Sequence, residues 1–537
     1  MNKVHVFNLS NRQGKGDCFM TLKKLLCSTF AAATLATAAM AATVNVGVTN
    51  SPSDLNPIDP GDSMATVCAE LLYSPLVTLT DKLTYQPMLA EKVQEIDSKH
   101  FRVTLRDAKW TDGQPITADD VLFTVRFLTD PKVNSMVTQY YSVLEGFDEH
   151  GVLPKGAEMT GVKKIDGRTV EFICKQGMSF NMFNDNILRA LLPVPAHLWK
   201  NFSPATYKQE AELAHPTVTS GPMTFVQFDK DHFLKLKSNK GYFLGAPKVD
   251  GVTFKVMSGP ELTVAFAAGD IDMNVPMNGM IPSTDYEKVK SLKNVRTISG
   301  GPGTVQLLFL NNDRLSSPQI RQAISLAIDR ETIVKQVLLG QGEPTASFFT
   351  SASPYRDAKL APAYDPQKAK KMLQDAGFDF NKSLEFTVPT GNTTREQVAQ
   401  VIQANLAAIG VKVDMLKFDF PTVMSRAKEG AFDMIIMADT LVPLNPTYDL
   451  QFFITKGNYN RYFTQKMDDL VAKMMTETDD AALKTEAADL QKLLWDDMPM
   501  MSLYAAKDLY AVSNKMKVGQ PHDYGMFADL YQWEKED

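Results

Sequence analysis

The segment from 393 to 438 constrains the fold more than any other part of the chain, because a helical pattern is followed directly by two strand patterns. Residues 393–396 (Thr-Thr-Arg-Glu) predict a capping box, and apolar residues at helical spacing continue the helix to Gly410. Residues 411–415 then alternate like a half-buried strand, and 432–438 predicts a second, largely apolar strand. A helix between strands, with a turn at the strand's end, is how open α/β sheets build binding sites.

Similar patterns recur along the rest of the chain. Residues 101–105 alternate as in a half-buried strand, and Thr117 and Asp120 are spaced as the N-cap and acidic N3 residue of the next helix. Ser317-Pro318 and Asp365-Pro366 each predict a helix start, and Gly377 follows the second helix where a left-handed residue is usual. These patterns predict an α/β or a mixed α+β protein.

The length and two interruptions bear on domain organisation. A chain of 537 residues is long enough for two to four domains, each with its own core. Residues 300–304 (Gly-Gly-Pro-Gly-Thr) break the chain near its middle. After the helical residues 468–495, the strand-like run 500–512 predicts a final strand that returns to an earlier sheet.

Residues 20–41 have the pattern of a secretory signal peptide. Two lysines are followed by an apolar run and by the small-x-small sequence Ala39-Met40-Ala41, so we expect cleavage before Ala42, export to the periplasm, and an upstream extension in residues 1–19. A membrane anchor is the alternative, but the run is rich in alanine and threonine rather than leucine. Cys27 could be taken for a lipidation site, but the small residues that such a site needs do not precede it.

Of the 4 cysteines, Cys68 and Cys174 would remain after this cleavage. An oxidising compartment permits a disulfide between them. Two cysteines in so large a chain fit two separate buried thiols equally well, so the pairing stays open.

Charge and motif content argue against nucleic-acid binding and catalysis. The net charge is −6 and no long basic block is present, so a nucleic-acid surface is not expected. The sequence has no H-E-x-x-H, G-x-S-x-G or G-x-x-x-x-G-K pattern. The 7 histidines are scattered, without a second histidine or a cysteine at metal-ligand spacing. We therefore expect no enzyme activity, no metal site and no cofactor.

A series of short motifs, in order along the chain, resembles the family 5 extracellular solute-binding proteins, the oligopeptide- and dipeptide-binding group of ABC importers. The segments that carry the resemblance are 56–60 (NPIDP), 70–77 (ELLYSPLV), 87–91 (PMLAE), 110–121 (WTDGQPITADDV), 219–223 (TSGPM), 268–272 (AGDID), 320–323 (IRQA), 327–330 (AIDR) and 364–369 (YDPQKA). They cover essentially the whole chain after the signal peptide.

The resemblance implies a periplasmic-binding-protein-like α/β fold of class II, with two lobes and an extra inserted domain. Domain I would comprise 43–75, 216–305 and 501–537, domain II would be an insertion of 76–215, and domain III would be 306–500. The lobes would close on a solute by hinge motion and present it to a cognate ABC permease in the inner membrane. We expect the protein to act as a monomer.

The resemblance also suggests the ligand-binding residues. In peptide-binding members an aspartate just after the strand pairs with the ligand's α-ammonium, and Asp439 is the matching position. Arg395 and Arg461 are the candidates for a cation that binds the ligand's carboxylate. Ser63 and Met64 match a first-lobe segment that contacts extended ligands, and Thr440 completes the predicted set.

The sequence departs from the peptide-binding pattern around Asp439. Ile436 stands where tryptophan is frequent, and 440–447 (TLVPLNPT) lacks the further acidic residues of peptide-specific members. The predicted pocket is therefore more aliphatic than usual. A non-peptide solute such as an opine, glutathione, a sugar or a metallophore remains the alternative, as do a secreted hydrolase and a receptor-coupled adaptor.

Overall fold

A computed structural model of the chain describes residues 43–275, 278–440, 442–445, 447, 450, 454 and 458–536. The predicted extension 1–19, the signal peptide 20–41 and Cys27 lie outside these residues. Cys68 and Cys174 are both buried, and neither forms a disulfide. No helix in the described part of the chain is long and apolar enough to span a bilayer.

A seven-stranded mixed sheet collects strands from distant parts of the chain. Its central strand, Thr43–Val48, pairs in parallel with Gly251–Val256 on one side and with Met273–Asn274 on the other. In spatial order the strands are Val295–Ser299, Leu509–Ser513, Met273–Asn274, Thr43–Val48, Gly251–Val256, Phe233–Ser238 and Met223–Asp229.

A six-stranded sheet contains the helix-and-strand unit predicted around residue 400. Its order is Gly342–Pro344, Met500–Ala506, Thr304–Leu310, Met434–Thr440, Ser383–Pro389 and Lys412–Phe418. The last three strands run parallel to one another, whereas Thr304–Leu310 pairs antiparallel with both of its neighbours.

Three smaller sheets complete the strands of the described residues. The four-stranded antiparallel sheet has the order Ala90–Asp97, His100–Leu105, Thr169–Ile173 and Val162–Lys164. Two antiparallel pairs are Val77–Leu79 with Tyr85–Pro87, and Met516–Val518 with Glu534–Lys535.

The α-helices lie between these strands along the chain. They are Ser63–Leu72, Ala118–Leu128, Phe180–Phe183, Ala196–Trp199, Ala211–Ala214, Gly259–Ala268, Tyr286–Lys290, Pro318–Ala327, Arg330–Thr332, Pro366–Asp375, Thr393–Ala408, Phe420–Glu429, Gln465–Thr476 and Asp480–Asp497. Asn184–Arg189 and Ile333–Val337 are π-helical. The 3₁₀ segments are Met136–Val143, Tyr207–Gln209, Ser283–Asp285 and Leu530–Gln532.

The strand Thr304–Leu310, inside the six-stranded sheet, is buried on both faces. Alternate residues of Thr304–Leu310 belong to two different cores: Val305, Leu307 and Phe309 join the large core shared with the rest of the chain, whereas Leu308 and Leu310 pack against the sheet's own helices. This arrangement follows from the strand period of two and explains why both faces of the strand are apolar.

Several predicted helix ends and one predicted strand are confirmed. The Thr117 N–H donates to Asp120 Oδ2 at 2.8 Å, closing the capping box. Helices begin at Pro318 and Pro366, and Gly377 has φ +70°. The predicted strand 101–105 begins one residue earlier, at His100.

The predicted capping box at 393–396 is wrong. Asn392 is the N-cap, and its Oδ1 accepts the N–H of Arg395 at 2.9 Å. Glu396 instead accepts a bond from Lys417 Nζ at 2.6 Å. Asparagine is an equally good N-cap, and choosing it places Arg395 at N3, where no box can form.

The C-terminal strand-like run divides between two sheets. Met500–Ala506 pairs with Thr304–Leu310 in the six-stranded sheet, and Leu509–Ser513 pairs with Val295–Ser299 in the seven-stranded sheet. The expected return to an earlier sheet therefore begins at Leu509, whereas the domain limit expected at 500/501 falls inside the first strand.

Candidate functional site

One edge of the six-stranded sheet brings together three of the six predicted binding residues. The parallel strands Ser383–Pro389 and Met434–Thr440 both end at this edge, and the antiparallel strand Thr304–Leu310 begins there, with Thr304 opposite Thr440. The helix Thr393–Ala408 starts just beyond the end of Ser383–Pro389. Arg395, Asp439 and Thr440 are therefore placed at the same end of one sheet.

Asp439 is the penultimate residue of its strand rather than the residue after it, because the strand is Met434–Thr440 and not 432–438. It stands opposite Val305, which is fully buried. Side chains alternate along a strand, so Asp439 shares a face with Met437 and Val305, the face that meets the large core. A partly buried carboxylate beside such apolar neighbours interacts strongly with a cation, because little water screens its charge.

Arg395 approaches the edge from the other face of the sheet. Its Nε donates to Gln306 Oε1 at 3.4 Å. Burial lowers the pKa of the Arg395 guanidinium, an effect that the nearby Tyr504 hydroxyl partly offsets. In the described part of the chain no carboxylate lies within ion-pair distance of this guanidinium. A cation that loses hydration without gaining a protein anion is suited to bind an anionic ligand group.

Gln306 is a site residue that the sequence analysis missed. It is 4% exposed and stands between Ala438 and Tyr504 in the register of the sheet. Its Nε2 donates to the Met437 carbonyl, and its Oε1 accepts from Arg395. A polar residue in the otherwise apolar run 305–310 is the only signal that could have identified it.

Arg461 lies away from this edge. Its guanidinium donates to the Lys428 carbonyl, at the end of the helix that precedes Met434–Thr440. Asp439 is near the opposite end of that seven-residue strand, and a strand of this length spans roughly 20 Å. The structure therefore brings Arg395, but not Arg461, to the edge that carries Asp439.

Ser63 and Met64 begin the helix Ser63–Leu72, which lies far from Asp439 in the sequence. Ser63 is exposed, and its hydroxyl donates to Asn278 Oδ1 at 3.0 Å. Met64 is fully buried in the large core, so it presents no exposed surface for a ligand contact. The described hydrogen bonds join neither residue to the Asp439 edge.

The loop after Asp439 contacts the segment predicted as an insertion. Asn445 Nδ2 donates to Asn186 Oδ1 at 2.8 Å and to Asp185 Oδ2 at 3.3 Å. Asp185 is in turn paired with Arg189 at 2.6 Å. The loop that follows the strand Met434–Thr440 is therefore hydrogen-bonded to the 184–189 segment, from a distant part of the chain.

Comparison with known proteins places this architecture in a family. The model of the bacterial extracellular solute-binding proteins, family 5, matches residues 84–461. The oligopeptide-binding protein AppA of Bacillus subtilis (strain 168) is 28% identical over 519 residues, which cover 91% of this chain and 90% of AppA. The nickel-binding periplasmic protein of Escherichia coli (strain K12) is 22% identical over 396 residues, covering 70% of this chain and 71% of that protein.

The fold agrees with that of solved structures. The structure of AppA from Bacillus subtilis in complex with a nonapeptide superposes with a TM-score of 0.79 at 24% identity, covering 92% of this chain and 99% of that chain. The sequence resemblance and the predicted fold class are thereby confirmed. The chain belongs to the bacterial extracellular solute-binding proteins of family 5.

Proposed function

We propose that this protein is the periplasmic solute-binding component of an ABC importer and that it captures short peptides without catalysing a reaction. The observation that carries the proposal is that two groups of opposite charge, which do not pair with each other, lie at the same end of one sheet. Asp439 offers a carboxylate on one face, and Arg395 offers on the other a partly buried guanidinium that has no carboxylate of the described residues within ion-pair distance. A zwitterion with an ammonium and a carboxylate complements both groups.

The relatives support a peptide as the solute. AppA is named an oligopeptide-binding protein, and its solved structure holds a nonapeptide. The nickel-binding relative suggests a different solute, but the described residues contain no group of three or more side chains that could hold a metal ion. The two separate charges of Asp439 and Arg395 are better suited to an organic zwitterion.

Delivery to the permease would depend on the two sheets moving relative to each other. The chain passes between them at 300–303 and at 507–508, so we propose domain I as 43–75, 216–303 and 508–537, domain II as the insertion 76–215, and domain III as 304–507. Hinge rotation at these crossings would close the lobes on a solute and give the permease a distinct shape to recognise.

The first test is native mass spectrometry of the purified protein, before and after mild denaturation. We expect peptides of a few residues to co-purify and to be released when the protein unfolds. A different solute, for example an opine or a sugar, would retain the importer and reject the peptide. Turnover of a bound peptide would reject the non-catalytic role.

A second test addresses Asp439 through the D439N variant. A charge-assisted bond to an ammonium contributes about 1.5–3 kcal/mol, so D439N should weaken binding of free-amine peptides about 10- to 100-fold and abolish their preference over N-acetylated peptides. The matched control is D414N, because Asp414 is exposed in Lys412–Phe418, another strand of the same sheet. An unchanged preference in D439N would remove Asp439 from the site.

A further inference from the structure

We propose that Gln306 is the positioning residue that holds Arg395 for the ligand's carboxylate while leaving its positive charge unneutralised. The inference rests on the proposed function, in which Arg395 binds that carboxylate. It adds a second residue, 89 positions away in the chain, that determines how selective the site is for a free carboxylate.

The hydrogen bonds of Gln306 define its orientation at both ends of the amide. Nε2 donates to the Met437 carbonyl, which lies in the neighbouring strand of the same sheet. With the amide nitrogen used in this way, Oε1 is directed toward Arg395 and accepts from its Nε at 3.4 Å. An amide cannot exchange its two ends without losing both bonds, since its nitrogen only donates and its oxygen only accepts.

A β-bulge beside Gln306 places Tyr504 next to Gln306 and Arg395. The register of Met500–Ala506 against Thr304–Leu310 shifts between Gln306 and Leu307. As a result, the consecutive residues Leu503 and Tyr504 both pack into the core beneath the helices, although strand residues normally alternate. Tyr504 therefore lies beside Gln306 on the face from which Arg395 approaches.

The choice of an amide has a chemical consequence. A guanidinium presents its donors in a planar fork, and its two Nη atoms can bind both oxygens of a carboxylate. In the described part of the chain the side-chain hydrogen bond of Arg395 is made by Nε, which leaves the Nη end for a ligand. A glutamate at position 306 would provide the same contact but would also neutralise the charge. A glutamine orients the fork and preserves its attraction for an external anion.

The test compares Q306E, Q306M, R395Q and R461Q with the wild-type protein. The probe is an equimolar library of peptides of two to five residues, made once as free acids and once as C-terminal amides. Bound peptides are quantified by native mass spectrometry, and the acid-to-amide ratio is the readout. We expect the wild type and R461Q to prefer free acids about tenfold or more, and R395Q to lose this preference.

The two Gln306 variants should alter the ratio for different reasons. Q306E should remove almost all of the preference for free acids over amides, because the new carboxylate pairs with Arg395. Q306M should reduce it about threefold or more, because the guanidinium is no longer oriented. The matched controls are Q403E and Q403M: Gln403 is in the helix of Arg395 and also donates to a strand carbonyl, that of Val413, at 2.9 Å.

The outcomes separate the two proposals. If R395Q loses the acid preference while Q306E and Q306M keep it, Gln306 is only a structural residue and the inference is overturned. If R395Q keeps the preference, Arg395 does not bind the carboxylate, and its part in the proposed function is overturned instead. A loss of total binding at an unchanged ratio, with a lower melting temperature, also counts against the inference.

Discussion

Gly221 lies against the backbone at the end of the Ser63–Leu72 helix, where a side chain would not fit. The N–H groups of Ser220 and Gly221 both donate to the Leu72 carbonyl, at 3.0 and 2.8 Å. A Cβ at Gly221 would overlap the carbonyl oxygen of Leu71. The 219–223 motif therefore packs two distant segments of the chain against each other.

The first prediction concerns this close approach. G221A should lower the free energy of unfolding by about 1–3 kcal/mol, because backbone atoms must move to admit the methyl group. Urea unfolding followed by circular dichroism measures the change. The control is G167A, where an added Cβ has nothing within 4 Å and the change should stay within about 0.5 kcal/mol. Equal stability of the two variants would contradict this explanation.

At the scale of helices and strands, the buried Arg321 joins two helices through hydrogen bonds to backbone carbonyls. Arg321, in Pro318–Ala327, is 3% exposed, and its Nε donates at 3.1 Å to the carbonyls of both Asp497 and Met498, where the helix Asp480–Asp497 ends. Its Nη1 donates to two carbonyls before its own helix, at 2.6 and 2.9 Å. One planar fork thus satisfies carbonyls at the end of one helix and carbonyls of the residues just before another.

The second prediction follows from that geometry. R321K should lower the free energy of unfolding by about 1–3 kcal/mol, because an ammonium cannot reach all of these carbonyls and leaves some of them buried without a donor. Denaturant titration provides the measurement. R168K serves as the comparison, since the Arg168 side chain is 50% exposed, and it should change stability by less than about 0.5 kcal/mol. A neutral R321K would show that the carbonyls find other donors.

His522 joins the C-terminal segment to the hairpin of Val77–Leu79 and Tyr85–Pro87. Its Nε2 lies 3.2 Å from Asp529 Oδ2, and its Nδ1 lies 2.7 Å from Asp81 Oδ2, in the turn of that hairpin. Hydrogen bonds to Asp529 and Asp81 raise the pKa of His522 from its ordinary 6.5 to about 10. The protonated imidazole therefore favours the folded state.

The third prediction is the pH dependence of this contact. Because the folded pKa is the higher one, the stabilisation is complete below about pH 6.5 and is lost as the pH rises through about 10. H522Q should be less stable than the wild type by about 1–2 kcal/mol near pH 6, and the difference should narrow toward pH 10. Urea unfolding at several pH values tests this, with H150Q as the exposed control. A difference that stays constant with pH would exclude the ion pairs as its cause.

At the scale of the whole molecule, the two crossings between the large sheets lie side by side. The Gly300 N–H donates to the Asp508 carbonyl at 2.9 Å, which joins the crossing 300–303 to the crossing 507–508. The next N–H, of Gly301, donates to Asp523 Oδ2 at 2.7 Å, and Tyr510 donates to the other oxygen of that carboxylate at 2.6 Å. Two adjacent crossings allow rotation about one axis, as a hinge requires.

The fourth prediction concerns solute and closure together. Protein stripped of co-purified solute by denaturation and refolding should have a lower melting temperature and a larger radius of gyration than the loaded protein. Adding the solute at about 100 times its Kd should restore about 2.7 kcal/mol. A compact chain of this length has a radius of gyration of about 24 Å, which the loaded form should approach in small-angle scattering. Identical scattering curves for the two forms would argue against closure.

Local sequence patterns determined much of this architecture. The alternation of strand and helix patterns, the helix starts at Pro318 and Pro366 and the left-handed Gly377 were all readable, because each depends on residues only a few positions apart. The ordered motifs along the chain indicated the family, and with it Asp439. The choice between two adjacent N-cap residues could not be made from the sequence. Asn392 and Thr393 are both good N-caps, and only the folded chain selects Asn392.

Only the tertiary structure decided which of the polar and charged residues lie together at the binding edge. Gln306 bonds to residues 131 and 89 positions away, so nothing near it in the sequence reveals its partners. Arg395 and Arg461 were equivalent candidates in the sequence, yet the sheet places them at opposite ends of one strand. Local chain chemistry selects helices, strands and their ends, whereas the binding edge arises from the pairing of distant strands, and the sequence does not encode that pairing at any fixed spacing.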